Sequence, residues 1–258
     1  VRGGALGVGA VLLASCGRRV DPLEQSLATD ATAPSSTTVE TSSTTVAATS
    51  PTTSVTTAPA ATLAGFDEFE STVSVMRDGR WWLVESNGLP AHGMMVGITS
   101  WQQQVPTPQP YTGSNAWRIP AQPVVSSTPV SAKTALYRGA IALAANGVPI
   151  FNALNNRGDD AFLFGELDKW GGHAGRADDY HYHVAPVFLQ DVLGPSLPIA
   201  YALDGYAIFG LREPDGTAAA DLDAFNGHVG GDGRYHYHAT PTYPYVNGGF
   251  HGTVVELE

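Results

Sequence analysis

The sequence predicts a mainly β fold: a single, internally duplicated domain of pseudo-twofold character, with hairpins, long Pro/Gly-rich loops and a few short helices. Three observations predict it. Residues 167–186 read LDKWGGHAGRADDYHYHVAP and residues 222–241 read LDAFNGHVGGDGRYHYHATP, so a shift of 55 positions superposes Leu-Asp, an aromatic residue, Gly-His, Gly, the whole Tyr-His-Tyr-His run and a Pro. Upstream, Asn146-Gly147-Val148-Pro149-Ile150-Phe151 is echoed by Asp204-Gly205-Tyr206-Ala207-Ile208-Phe209 at a shift of 58, which places a three-residue deletion between the blocks of the second copy. The apolar segments are short and end at Asn-Gly or Asp-Gly, and no segment sustains a long 3.6-residue period. Two copies are too few for a stacked solenoid, so the repeats, near 139–193 and 197–250, belong to one domain.

The chain opens with VRGGALGVGAVLLASC, a basic residue, an apolar run and a terminal Leu-Ala-Ser-Cys. This run is too short to span a bilayer. It resembles a lipoprotein signal peptide over residues 1–16, with Cys16 as the lipidated residue. Residues 17–62 are expected to be a disordered tether. More than half of residues 29–62 are Ser or Thr, spaced by Ala, Val and Pro, a composition that buries no core. A coil of that length spans roughly 30 Å.

The folded domain is expected over 63–258. Residues 72–85 read as a hairpin turning at Asp78-Gly79, of type I′. Six prolines between residues 101 and 131 exclude long helices and central strands there. Arg138–Ala144 leads through Asn146-Gly147 into Val148–Phe151, and Pro198–Ala202 through Asp204-Gly205 into Tyr206–Phe209, both as hairpins. Ala161–Trp170, Pro186–Leu193 and Ala218–Phe225 are candidate short helices.

Lys and Arg total 13 against 24 Asp and Glu, a net charge of −11. The domain has only Lys133, Lys169 and scattered arginines and no basic stripe for a phosphate backbone, so nucleic acid is not an expected partner. With a single cysteine, neither an internal disulfide nor a thiolate metal site can form. Gly-x-Ser-x-Gly, Gly-Lys-Ser/Thr and His-Glu-x-x-His are absent from the sequence, which moves elbow-type serine hydrolases, nucleotide enzymes and helix-borne zinc proteases out of the front rank.

Six of the eight histidines lie at equivalent places in the two copies. Along an extended strand alternate side chains share a face, so His181 and His183 point one way and Tyr180 and Tyr182 the other; His236 and His238 repeat this with Tyr235 and Tyr237. His173 and His228 precede these pairs in Gly-His-x-Gly, a flexible turn able to bring a third imidazole to each. Three neutral imidazoles suit a transition metal, copper or zinc in an extracytoplasmic setting, and not calcium or magnesium. The alternative is a hydrogen-bonded His/Tyr network that pins the duplicated strands. Asp168 and Asp223 stand at equal positions either as orienters of His173 and His228 or as turn and cap residues, and the tyrosines are core or supporting groups. Asp178, Asp179 and Asp232 read as a solvated acidic loop or as oxygen ligands, and His92 and His251 as loop residues or extra ligands.

Asn87-Gly88-Leu89-Pro90 with His92, Asn146-Gly147-Val148-Pro149, Tyr180 to His183, Ala202-Leu203-Asp204-Gly205-Tyr206 and Pro244-Tyr245-Val246 together resemble the YHYH-domain family of secreted proteins, over about residues 70–258. The family often has a cysteine where this chain has Gly248 or Gly249, and its second motif is often not a full Tyr-His-Tyr-His. The resemblance implies the domain and its boundaries, not a reaction. Three functions are compatible with the residues: a metal-dependent hydrolase or oxidase held to the membrane by its lipid alone, a metal-binding or delivery lipoprotein, or an interaction module for envelope glycan or protein built on Trp81, Trp82, Trp101 and Trp117.

Overall fold

The computed structural model describes residues 62–100 and 103–254. The leader expected at 1–16 with Cys16, the tether over 17–61, and Trp101 lie outside the described residues. Among the described residues the strands form three sheets.

The first sheet is β1 (Val73–Asp78), β2 (Trp81–Ser86) and β3 (Trp117–Pro120), with β2 in the middle. The β1–β2 hairpin closes as Asp78↔Trp81. Of the two loop residues only Gly79 takes a positive φ, +53°. That is the pattern of a type II′ turn and corrects the type I′ expectation. The proline-rich segment yields only border strands: β3 flanks one side of this sheet, and β4 (Val125–Ser131) pairs with the last strand, β13 (Gly249–Gly252), in a two-stranded sheet.

The third sheet carries the repeats. In chain order its strands are β5 (Ala140–Ala144), β6 (Pro149–Phe151), β7 (Gly172–Ala174), β8 (Tyr180–Tyr182), β9 (Ala200–Ala202), β10 (Ala207–Phe209), β11 (Gly227–Val229) and β12 (Tyr235–His238). Across the sheet the order is β11-β12-β10-β9-β5-β6-β8-β7. Under the repeat shift this order reads the same from either end. The two halves meet at β5 and β9, which are antiparallel with Leu143 opposite Tyr201, Ala142 opposite Ala202 and Ala144 opposite Ala200. Leu143 and Tyr201 are themselves repeat equivalents, so the register is symmetric about that pair.

The two faces of this sheet bury different things. Ala142, Ala144, Ala200 and Ala202 join Ile150, Ile208, Tyr180, Tyr182 and Tyr237 in the larger core. On the opposite face Leu143 packs with Phe66, Trp82, Val84 and Ile119, with Tyr201 against them, so the first sheet covers the middle of the third. Trp82 is therefore core and only 7 % exposed, which removes it from the row of surface aromatics expected from the sequence. Trp81 and Trp117 are half-buried.

Among the described residues the only α-helix is α1 (Leu189–Leu193), inside the expected Pro186–Leu193. The other two candidate helices are turns. Asp160 Oδ1 accepts from the amides of Phe162 and Leu163, Asp168 Oδ1 from Trp170 and Gly172, and Asp223 Oδ1 from Phe225 and Gly227. At Asp160 this is N-cap geometry, and one helical turn follows, from the Phe164 amide to the Asp160 carbonyl, before Gly165 at φ +71° ends it; at Asp168 and Asp223 the side chains take amides that would otherwise bond along a helix.

Candidate metal centres

Each Tyr-His-Tyr-His segment alternates as expected. In the first half Tyr180 and Tyr182 are buried in the larger core, and in the second Tyr237 is buried there with Tyr235 packed against it. The hydroxyls are all engaged: Tyr180 donates to Asp168 at 2.8 Å, Tyr235 to Asp223 at 2.9 Å and Tyr237 to Asp204 at 2.6 Å, while Tyr182 accepts from Asn146 at 3.1 Å. Asn146 and Asp204 are repeat equivalents. Burial, with Asp204 alongside, raises the Tyr237 hydroxyl far above its ordinary value, so it stays a donor.

His92 and His251 also serve this tyrosine face. His92 Nε2 lies 2.8 Å from the Tyr182 hydroxyl and its ring stacks on Trp170; His251 stacks on Tyr235 and donates its amide to Tyr237. Asp168 and Asp223, offered as orienters or turn formers, have the second role here: each closes a turn and holds a tyrosine.

On the other face the histidines converge. His173 and His228 do not sit in flexible turns; they lie on β7 and β11, directly opposite His181 and His236. A directly opposed antiparallel pair brings side chains within contact distance, and His183 and His238 follow two residues on along the same face. The β7–β8 and β11–β12 turns are equivalent too, with Asp178 at φ +59° and Gly233 at +77°. Phe151 stacks on His181 and Phe209 packs edge-on to His236, walling each cluster toward the middle of the sheet.

Two groups result, His173 with His181 and His183, and His228 with His236, His238 and Glu213, each with its candidate ligand atoms within 4.8 Å of one another. In the first, His183 Nε2 and His173 Nε2 are 3.2 Å apart. In the second, His236 Nε2 lies 3.1 Å from His228 Nε2 and 2.9 Å from His238 Nε2, and Glu213 Oε1 lies 3.0 Å from His228 Nε2 and 3.2 Å from His238 Nε2. Ligands about 2.0 Å from a tetrahedral ion stand about 3.3 Å apart, so these spacings fit one ion per group.

Hydrogen bonds on the far side of the rings decide the tautomer. His183 Nδ1 faces the carbonyl of Asn152 at 2.5 Å, His173 Nδ1 that of Glu166 at 2.9 Å, His181 Nδ1 that of Asp179 at 3.0 Å, and His238 Nδ1 that of Gly210 at 3.1 Å. A carbonyl only accepts, so Nδ1 carries the hydrogen and the neutral ring turns a bare Nε2 lone pair inward. Lone pairs facing each other at 3 Å repel unless a cation lies between them.

Protons are poorly suited to that role. Burial, followed by the neighbouring His181, pushes His173 down to about 4, and burial with His181 and His173 pushes His183 well below the ordinary histidine range. His238 is also lowered, first by burial. In addition, Glu213 Oε1 is buried with the Nε2 atoms of His228 and His238 beside it and no hydrogen bond made to it. Neutral imidazoles, an orphaned carboxylate oxygen and no thiolate form a donor set that fits zinc or copper.

The surroundings of the two groups differ. The first opens into a cavity of about 370 Å³ lined also by Arg138, Arg157, Arg176, Asn155 and Glu166. Glu166 is 5 % exposed; Asn155 Nδ2 donates to both its oxygens at 3.2 Å, and Arg157 pairs with it closely. The second borders a cavity of about 410 Å³ with Glu213, Asp215 and Asp232. Of the remaining acids, Asp178 accepts from the Val105 amide, Asp179 Oδ2 is 3.6 Å from His181 Nδ1, and Asp232 accepts from the Arg234 amide; none belongs to either group.

Sequence reasoning missed Glu213 and Glu166. The signal for Glu213 was present: the shift of 58 that aligns Phe151 with Phe209 also aligns Asn155 with Glu213, an acid where the other copy has an amide.

Fold and site together define a mainly β protein with paired, strand-borne histidine clusters. A family model described as YHYH protein matches residues 116–218, supporting the resemblance drawn from the motifs. The matched segment includes the first Tyr-His-Tyr-His strand and ends before the second. Comparison with curated proteins finds no match, and comparison with solved structures finds none.

Proposed function

We propose that this is an extracytoplasmic protein, tethered through Cys16, that binds one transition-metal ion in each half of its large sheet and reacts substrate at the first. The observation carrying this reading is that carbonyl partners fix Nδ1–H on every ring of the first group, so that the buried Nε2 lone pairs of His173 and His183 face each other, and on His238 of the second, where Glu213 joins the rings. The ligands are His173, His181 and His183 in the first half, and His228, His236, His238 and Glu213 in the second. Zinc and copper fit the donors best. Zinc with three protein ligands supplies Lewis acidity for hydrolysis, and copper supplies redox chemistry. The protein's own part is to exclude bulk water from the rings, fix their tautomers, and hold the Glu166 carboxylate in the same cavity, between Asn155 and Arg157, as a proton acceptor.

A second reading, metal storage or delivery without catalysis, is favoured by the acidic surroundings of the second group, where Glu213, Asp215 and Asp232 line the cavity. Acids at the mouth of a cation site raise the local cation concentration.

Elemental analysis of the full chain, purified from an extracytoplasmic compartment and re-equilibrated with zinc or copper, tests the proposal. Two equivalents are expected. A variant with His181, His183, His236 and His238 changed to alanine should bind none while keeping its circular dichroism spectrum. A parent chain that takes up neither metal would reject metal binding and leave a hydrogen-bonded network.

A further inference from the structure

We infer that the first-half cavity takes an oxyanion ligand, a carboxylate or a phosphate, at the position beside the histidines that Asn155 leaves open and that Glu213 fills in the second half. This rests on the two-metal reading above and names the class of molecule the first site accepts.

The equivalence of positions 155 and 213 is structural as well as sequential. The isolated bridges beside them, Leu154↔Asp160 and Arg212↔Ala218, differ by the same 58. The carbonyls that receive His183 and His238, those of Asn152 and Gly210, differ by it too. Two loops of one shape therefore approach two like histidine groups, one with a carboxylate and one with an amide.

The amide is used elsewhere. Asn155 Oδ1 accepts from the amides of Arg157 at 2.9 Å and Asp159 at 3.1 Å, and Nδ2 is spent on Glu166. Nothing of this side chain is left for an ion held by His173, His181 and His183, and the place taken by Glu213 in the second half is given to the cavity.

Charge then distinguishes the cavities. Three arginines, Arg138, Arg157 and Arg176, and one carboxylate line the first; three carboxylates and no basic residue line the second. The chain has 13 basic residues against 24 acidic ones, so three arginines around one opening run against its overall composition. Among the described residues Arg138 and Arg176 make no ion pair, and Arg157, half-exposed, pairs with Asp159 and Glu166. A guanidinium presents paired donors that match the two oxygens of a carboxylate or phosphate. A ligand with one oxygen toward the ion and another toward Arg138 or Arg176, whose guanidinium forks are not taken up by carboxylates as that of Arg157 is, meets both halves of this cavity.

Cobalt(II), which can replace zinc and absorbs visibly, is the probe. The full chain loaded with cobalt is titrated with inorganic phosphate and, separately, with acetate. The expected parent holds two cobalt ions, and one of the two spectra responds to anion. The double variant Arg138→Gln with Arg176→Gln should keep both ions and weaken the response at least tenfold; Asn155→Glu, if it folds, should keep both ions and abolish it. Tighter phosphate binding assigns a phosphoryl ligand, and tighter acetate binding a carboxylate one. Two bound ions with no anion response, or a response unchanged in the double variant Arg138→Gln with Arg176→Gln, overturns the inference and leaves the metal reading intact. Failure to bind cobalt, zinc or copper overturns the metal reading beneath it.

Discussion

Four of the inward-facing rings, His173, His181, His183 and His238, owe their tautomer to one backbone oxygen each, and burial of such neutral rings has a pH consequence. His173 titrates near 4 in the folded chain, because burial and His181 disfavour its charge, against about 6.5 when unfolded. Between those values the unfolded chain binds more protons, so stability rises with pH there and is lost as pH falls. Metal-free protein is expected to keep its full stability above pH 6.5 and to lose on the order of 3 kcal/mol from His173 alone by pH 4. Urea unfolding midpoints at pH 7 and pH 4.5 check this, and a flat profile refutes the burial argument. At this scale the sequence was readable where chemistry repeats: six histidines at matched spacing announced themselves. Glu213 did not, because it stands in the connection where the copies diverge and its role depends on a loop folding over the rings.

The hairpins are the elements that turn the pattern into a site. A turn-borne third histidine was expected, and a strand-borne one is found, because β7 pairs with β8 residue for residue and fixes His173 opposite His181. Gly172 makes that pairing possible: a Cβ there would lie 2.6 Å from the His181 carbonyl and 2.7 Å from the Tyr180 ring and hydroxyl. Gly172→Ala is expected to cost about 1–3 kcal/mol of stability by overpacking and to weaken metal binding in the first half only. Chemical denaturation and metal titration measure the two effects. A neutral result would mean that the strand has room to shift. The Asn-Gly and Asp-Gly hairpins were legible because turn chemistry is local. The helices expected at 161–170 and 218–225 failed because Gly165 ends the first after one turn, and Asp168 and Asp223 take the amides that a helix would need.

Over the whole molecule, the repeat could be read from the sequence but the order of eight strands could not. Pairing of β5 with β9 joins residues about 58 apart, and nothing local in AIALA or AYA states that they meet. Nor does the sequence reveal that the first sheet covers only the middle of the large sheet, leaving a histidine group toward each end. Leu143, wholly buried at the seam and packed in the second core, is the test position. Leu143→Ala should destabilise by about 2–5 kcal/mol, and it should lower metal affinity in both halves, since both are built outward from the seam. A loss confined to one half would show that the halves stand independently.

The seam between β5 and β9 matches itself, Leu143 lying opposite its own counterpart Tyr201, and Ala142 and Ala144 each lying opposite the other's counterpart, Ala202 and Ala200. Either half therefore presents an inner strand complementary in register to a second copy of that half. In the language of assembly, the two halves meet as the subunits of a symmetric dimer would, with the partner supplied by the same chain. Because the halves are not identical, one can carry an amide at 155 where the other carries Glu213, which two identical subunits could not do.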